Sequence, residues 1–194
     1  AIKPRSVSHE IAAASATSGS TALQAIRDYG HLPATGGQVL VTGVSGGVGS
    51  IAVGIAQKLK ATVTAVGSGA GLSLGRQLGA VAVLDRKVMN LPADIPGKFD
   101  VIFDAAAAYR WSHWRVALKP RGVFVTTLPS MAFAADKLAS LVADTAVQMV
   151  SVKSRTADLN LIASWLEAGL TVPLAATIPV RDVAQGLAQL QETG

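Results

Sequence analysis

The chain has 194 residues, 50% of them hydrophobic and 15% charged, with 17 Lys and Arg against 12 Asp and Glu. That balance excludes a disordered chain, which needs few apolar residues and high net charge. Cysteine is absent, which excludes a disulfide framework and any thiolate metal or redox chemistry. The net charge of +5 admits an anionic partner, and no Asp or Glu stands between Asp28 and Asp85. An anion bound by that stretch meets no carboxylate.

The uncharged run from Tyr29 to Gln57 is not read as a membrane span, because it holds Pro33 and six glycines between Gly36 and Gly49. No signal-peptide pattern follows Ala1, and the expected setting is cytoplasmic.

In chain order, Ala1 to Pro4 reads as an extended lead-in. Ser8 to Ala14 and Thr21 to Tyr29 read as two short helices, divided by the small polar run Thr17-Ser18-Gly19-Ser20. Val39 to Thr42 is an apolar strand. A glycine turn follows, then a helix from Gly47 to Leu59 with Val48, Ile51, Ala52, Ile55 and Leu59 on one face. Further strands are expected at Thr62–Val66, Val81–Leu84, Asp100–Asp104, Val123–Thr127, Val147–Val152 and Ala175–Ile178. Helices are expected at Leu72–Leu78, Trp111–Leu118, Ala134–Val142, Ala157–Ala168 and Arg181–Gln191. Near-continuous apolar strands alternating with helices imply an α/β fold: a doubly wound parallel sheet in three α/β/α layers, the Rossmann dinucleotide-binding fold. Residues 1–194 then form a single domain, with about 1–35 as lead-in helices.

The residues that carry chemistry are Gly43-Val44-Ser45-Gly46-Gly47-Val48-Gly49, between a strand and a helix. Glycine permits the tight turn and lets a phosphate approach the backbone. The helix start then offers free N–H groups and the positive end of the helix dipole. A bare turn without ligand is the competing interpretation. No Gly-Lys-Ser/Thr follows, so this is not a nucleotide-triphosphate P-loop. A short-chain dehydrogenase needs Tyr-x-x-x-Lys, and neither Tyr29 nor Tyr109 has Lys four residues on.

The end of the second strand reads Ala65-Val66-Gly67-Ser68-Gly69, without the acid that would bind the ribose 2′-OH of NAD. Ser68 can meet a 2′-phosphate, and Arg86 or Arg76 can supply charge. NADPH is therefore favoured over NADH, with Arg86 preferred as ligand and Arg76 as surface.

These segments together resemble the medium-chain dehydrogenase/reductase superfamily, on its zinc-independent quinone oxidoreductase branch. The similarity runs through Ser20-Thr21-Ala22-Leu23-Gln24-Ala25, the glycine turn, Arg76-Gln77-Leu78-Gly79-Ala80, Asp100 to Asp104 and Leu118-Lys119-Pro120-Arg121-Gly122. The resemblance implies that Thr21 approaches the nicotinamide carboxamide and that Ser45, Gly46, Gly47 and Val48 hold the pyrophosphate. It implies that Ala105, Ala106, Leu128, Pro129 and Ser130 line the nicotinamide side. Arg86 sits where the family often has a Tyr beside the adenosine. Gly71 stands at the place of a family Lys that contacts the 2′-phosphate, which weakens the NADP preference. Thr17 stands where zinc-dependent members place a Cys ligand, so no zinc is expected. The family's N-terminal barrel-like catalytic domain would precede Ala1, and nothing in 1–194 resembles it.

The implied function is the cofactor-binding domain of an NADPH-dependent oxidoreductase acting on a quinone or α,β-unsaturated carbonyl. The alternatives are a non-catalytic NADPH sensor and a zinc-type alcohol dehydrogenase whose ligands lie outside the chain. No catalytic residue is assigned. The expected partners are a small-molecule substrate held by the missing domain and a second copy in a homodimer, with no nucleic acid and no membrane. The mixed run Tyr109-Arg110-Trp111-Ser112-His113-Trp114-Arg115 is read as core packing through Trp111, Trp114 and Leu118. Asp104, at the ligand edge of its strand, is open to a structural cap or a contact with the nicotinamide ribose, and the structural role is favoured. Lys153-Ser154-Arg155 is left open between cofactor contact and helix start.

Overall fold

The computed structural model describes residues 1–193. Helix α1 spans His9–Gln24, capped by Ser8, whose Oγ accepts from Ile11 N at 3.3 Å. A π-helical turn, Ala25–Tyr29, extends it. This corrects the expectation of two helices. The run from Thr17 to Ser20 does not break α1, because smallness there serves packing: a Cβ on Gly19 would lie 3.2 Å from Ile162 Cδ1 and 3.4 Å from Ile51 Cδ1. The Thr21 hydroxyl donates to Thr17 O at 2.8 Å, so this buried hydroxyl is satisfied within the helix.

The strands are β1 (Gln38–Thr42), β2 (Thr62–Gly67), β3 (Ala82–Asp85), β4 (Phe99–Asp104), β5 (Leu118–Thr126) and β6 (Ala146–Met149). They form one parallel sheet in the order β3-β2-β1-β4-β5-β6. Helices α2 (Gly47–Lys58), α3 (Ala70–Gln77), α4 (Trp111–Trp114), α5 (Met131–Ser140), α6 (Thr156–Glu167) and α7 (Val183–Thr193) complete the elements. The chain leaves β1 toward β2 on one side and returns to pair β4 on the other. A crevice therefore opens beyond the carboxyl ends of β1 and β4.

The core is double, as the alternation of strand side chains requires. Val39, Val41 and Phe103 face α1, α2 and α6, together with Ile51, Ile55 and Ile162. Leu40, Ile102 and Phe124 face the other way, against Trp111 and Trp114. Burying each large side chain contributes about 1.5–3 kcal/mol. Trp111, Trp114 and Leu118 are thus core residues, although Leu118 belongs to β5 and not to a helix. Helix α4 is correspondingly short, followed by a 3-10 turn over Arg115–Ala117.

Two further expectations fail. Pro120 and Gly122 do not precede β5 but kink it: Leu118 pairs with Phe99, the register shifts, and Val123 pairs with Val101. Arg121 takes a φ of +66° at the kink, and its N–H donates to Asp144 O. Ala175–Ile178 is a loop. Its residues are exposed and pair with no described strand, so the apolar pattern there has no neighbour to complete a ladder.

Candidate dinucleotide-binding site

Four glycines close to β1 do different jobs. Gly43 adopts a φ of +67°, which side-chain-bearing residues rarely take. A Cβ on Gly49 would stand 2.1 Å from Gly43 O, so only glycine lets α2 start against the strand. Gly46 and Gly47 are under no such demand. A Cβ on Gly46 would meet only Gly43 O at 3.4 Å, and one on Gly47 only Ser18 Oγ at 3.7 Å. The fold therefore needs Gly43 and Gly49, while Gly46 and Gly47 keep space open in front of α2.

That space faces an uncapped helix. Gly46 is the N-cap of α2, with no side-chain cap and no acid in the first turn. Ser50 N–H donates to Gly46 O at 2.9 Å, the first bond of the helix. The N–H groups of Gly47, Val48 and Gly49 come before it and have no intrahelical acceptor. The cradle fits an anion: donors converge, the dipole end is positive, and neither a side chain nor a carboxylate fills it.

Beside it lies a cleft of about 310 Å³, lined by Gly43, Ser45, Val66, Gly67, Ser68, Arg86, Ala106, Ala108 and Tyr109. The sequence-predicted Gly43, Ser45, Ser68, Arg86 and Ala106 thus converge. Arg86 is placed by its own N–H, which donates to Gly67 O at 3.0 Å. Arg76 is an exposed residue of α3 and does not line the cleft. Gly71 is buried against Ser45 and Val44, so the cleft's positive charge comes from Arg86.

The loop after β4 forms the opposite shore of the crevice. Thr42 and Asp104 stand side by side in register, and the Thr42 hydroxyl donates to Asp104 Oδ1 at 2.6 Å. Tyr109 N–H donates to Asp104 Oδ2 at 3.0 Å. Asp104 is fully buried, and that burial pushes its carboxyl up, partly offset by the Thr42 hydroxyl and the N–H groups of Tyr109 and Ala108. Asp104 is accordingly a fastener between β1 and this loop. Ala105 and Ala106 lie within the fastened turn, where Ala107 takes a φ of +53°.

Other sequence-predicted residues lie elsewhere. Leu128 and Ser130 line a separate cavity of about 150 Å³ with Tyr109, Arg110 and Asp136, and Ser130 Oγ caps α5 by accepting from Phe133 N. Pro129 lies between them and lines neither cavity. Thr21 is buried in α1, with its hydroxyl turned back into the helix, and does not line the cleft. Lys153 is held by its backbone: Gln24 Nε2 donates to Lys153 O at 2.7 Å, and Lys153 N donates to Gln24 Oε1 at 2.9 Å. Arg155 pairs with Asp28 at 2.6 Å. Tyr109, Gly67, Val66 and Ala108 were missed. The one signal for Tyr109 was an aromatic shortly after the strand that ends at the crevice.

No protein-family model matches the chain. It is 41% identical over 107 residues to the mitochondrial NAD(P)H oxidoreductase of Bos taurus, across 53% of this chain and 27% of that protein. It is 35% identical over 107 residues to the 2-methylene-furan-3-one reductase of Solanum lycopersicum, across 54% of this chain and 27% of that protein. The fold superposes on the quinone oxidoreductase from Coxiella burnetii with a TM-score of 0.83, at 18% identity, covering 99% of this chain and 60% of that one. In sequence the chain is thus similar to reductases that include an NAD(P)H oxidoreductase, and in fold to a quinone oxidoreductase. It spans about a quarter of the length of those two curated relatives. The matched structure supports the doubly wound fold. Among the described residues, no three His, Asp or Glu side chains come together as a metal site. No described helix is long and apolar enough to cross a membrane.

Proposed function

We propose that this domain binds NADPH and that the complete enzyme reduces a quinone or an α,β-unsaturated carbonyl. The observation that carries the reading is the open, uncapped start of α2 beside a cleft holding Ser68 and Arg86 and lined by no carboxylate. The similarity to an NAD(P)H oxidoreductase and to a 2-methylene-furan-3-one reductase supports the reaction class. Residues 1–194 act as one cofactor domain, and a barrel-like domain elsewhere in the protein holds the substrate.

When bound, the dinucleotide supplies the hydride. The N–H groups at the start of α2 hold its pyrophosphate. Ser68 donates to the 2′-phosphate and the Arg86 guanidinium neutralises it. Asp104, through Thr42 and Tyr109, keeps the β4 loop in place. The cleft offers no free acid or base, because Asp104 is committed to its donors. The isolated chain is therefore expected to bind cofactor without turnover. No zinc is needed from this domain, since Thr17 occupies the ligand position the family resemblance points to. A homodimer and a cytoplasmic setting complete the proposal.

The test is NADPH oxidation by the full-length protein with a benzoquinone and with a simple enone, followed at 340 nm. Consumption of NADPH with either acceptor supports the reading. Tight NADPH binding with neither acceptor reduced favours a sensor.

A further inference from the structure

We propose that the Tyr109 ring is the platform on which the adenine of the bound dinucleotide stacks, which makes Tyr109 a binding residue of the cofactor site. The inference rests on the dinucleotide reading above and assigns that site's adenine end.

Several features converge on this ring. Tyr109 lines the same cleft as Ser68 and Arg86, and it is the aromatic residue among the lining side chains. Burial pushes the phenol up, and the charge of Arg86, which lines the same cleft, offsets part of that rise. The ring is also held from behind. It packs on Trp114, which is buried, with ring centroids 5.1 Å apart and planes tilted by 57°. Its backbone N–H is tied to Asp104 Oδ2. A side chain placed only for the core needs no cleft-facing surface, yet Tyr109 is half-buried, and its hydroxyl has no hydrogen-bond partner among the described residues. A rigid, half-exposed aromatic surface in an electropositive cleft suits a base with a phosphate close by.

The geometry also explains the buried Asp104. It joins β1, whose end carries the glycine turn, to the loop that carries Tyr109. The pyrophosphate cradle and the adenine platform are thereby fixed relative to each other.

The test uses the chain itself and two halves of the cofactor: adenosine 2′,5′-bisphosphate and reduced nicotinamide mononucleotide. Binding is measured by calorimetry for wild type, Tyr109→Phe, Tyr109→Leu and Tyr109→Ala. Tyr109→Leu retains apolar bulk against Trp114, so a loss there is not a loss of folding. The expected result is about a tenfold weakening of the bisphosphate in the Leu and Ala variants, with Phe unchanged. Nicotinamide mononucleotide binding stays constant throughout. In wild type, an NMR cross-peak is expected between the adenine H2 or H8 proton and the Tyr109 ring. Unchanged bisphosphate binding in Tyr109→Leu, or equal loss of both half-ligands, overturns the platform while leaving the dinucleotide reading intact. A wild-type chain that binds neither NADPH nor the bisphosphate overturns both.

Discussion

The two halves of the sheet make their ligand edges by different means. From Gln38 to Asp85 the edge is backbone: Gly43 turns, Gly49 admits α2, and Gly46 and Gly47 leave the helix end bare. From Phe99 to Met149 the edge is built by side chains: Asp104 binds Thr42 and the Tyr109 N–H, and Arg110 reaches the buried Asp136 at 2.9 Å. The first half is written in small residues at fixed spacing. The second depends on which distant groups meet after folding.

That contrast predicts opposite behaviours for neighbouring glycines. Gly49→Val forces a branched side chain into Gly43 O, and loss of the native thermal transition is expected. Gly47→Asp adds a carboxylate where there is room and where the helix dipole favours it, so Tm holds or rises. NADPH binding by that variant falls at least a hundredfold, because the carboxylate occupies and repels the phosphate position. Loss of folding in both variants would erase the distinction between fold-required and ligand-required glycines.

In the second half, Asp104→Ala strips the Thr42 hydroxyl and the Tyr109 N–H of their acceptor. A loss of about 1–3 kcal/mol is expected in urea unfolding, since buried donors are left unpaired. A variant as stable as wild type would remove Asp104 as the fastener.

Back in the first half, Arg86→Gln is expected to weaken NADPH about tenfold and NADH within twofold. Equal effects on both would detach Arg86 from the 2′-phosphate.

The smallest effect is in acid. Bidentate Arg27 and Arg155 hold the Asp28 carboxyl below its usual 3.8, against some burial. Asp100 is pushed up by burial, but Lys119 and the Gln38 N–H bring it below 3.8 overall. A lowered folded pKa gives stability that is present above the unfolded value and lost as pH falls below it. Asp104 runs the other way: its raised pKa costs stability at neutral pH, and protonation relieves that cost. Stability should therefore fall as pH drops through 3.8, and Asp28→Asn should flatten that limb of the urea-midpoint profile against pH.

The same contrast governs what the sequence made legible. The alternation of strands and helices and the glycine turn followed from apolar runs and spacing, because backbone demands leave their mark locally. The unbroken α1 did not, since Gly19 serves Ile51 and Ile162, which are far along the chain. The strand expected at Ala175–Ile178 failed because an apolar pattern carries no information about whether a neighbour exists. Ser68 and Arg86 became candidates through the missing acid after β2. Tyr109 was hidden in a basic-aromatic run, and only the cleft shows where it stands.

The central claim is that the cleft takes a dinucleotide carrying a 2′-phosphate. Parallel thermal-shift titrations of the chain with NADPH and NADH test it most directly. At 100 times its dissociation constant a ligand stabilises the fold by about 2.7 kcal/mol, a shift readily seen in Tm. The account predicts a rise with NADPH well above that with NADH at equal concentration. Equal rises would contradict the role given to Ser68 and Arg86, and no rise with either would make the glycine turn of Gly43 to Gly49 a turn and nothing more.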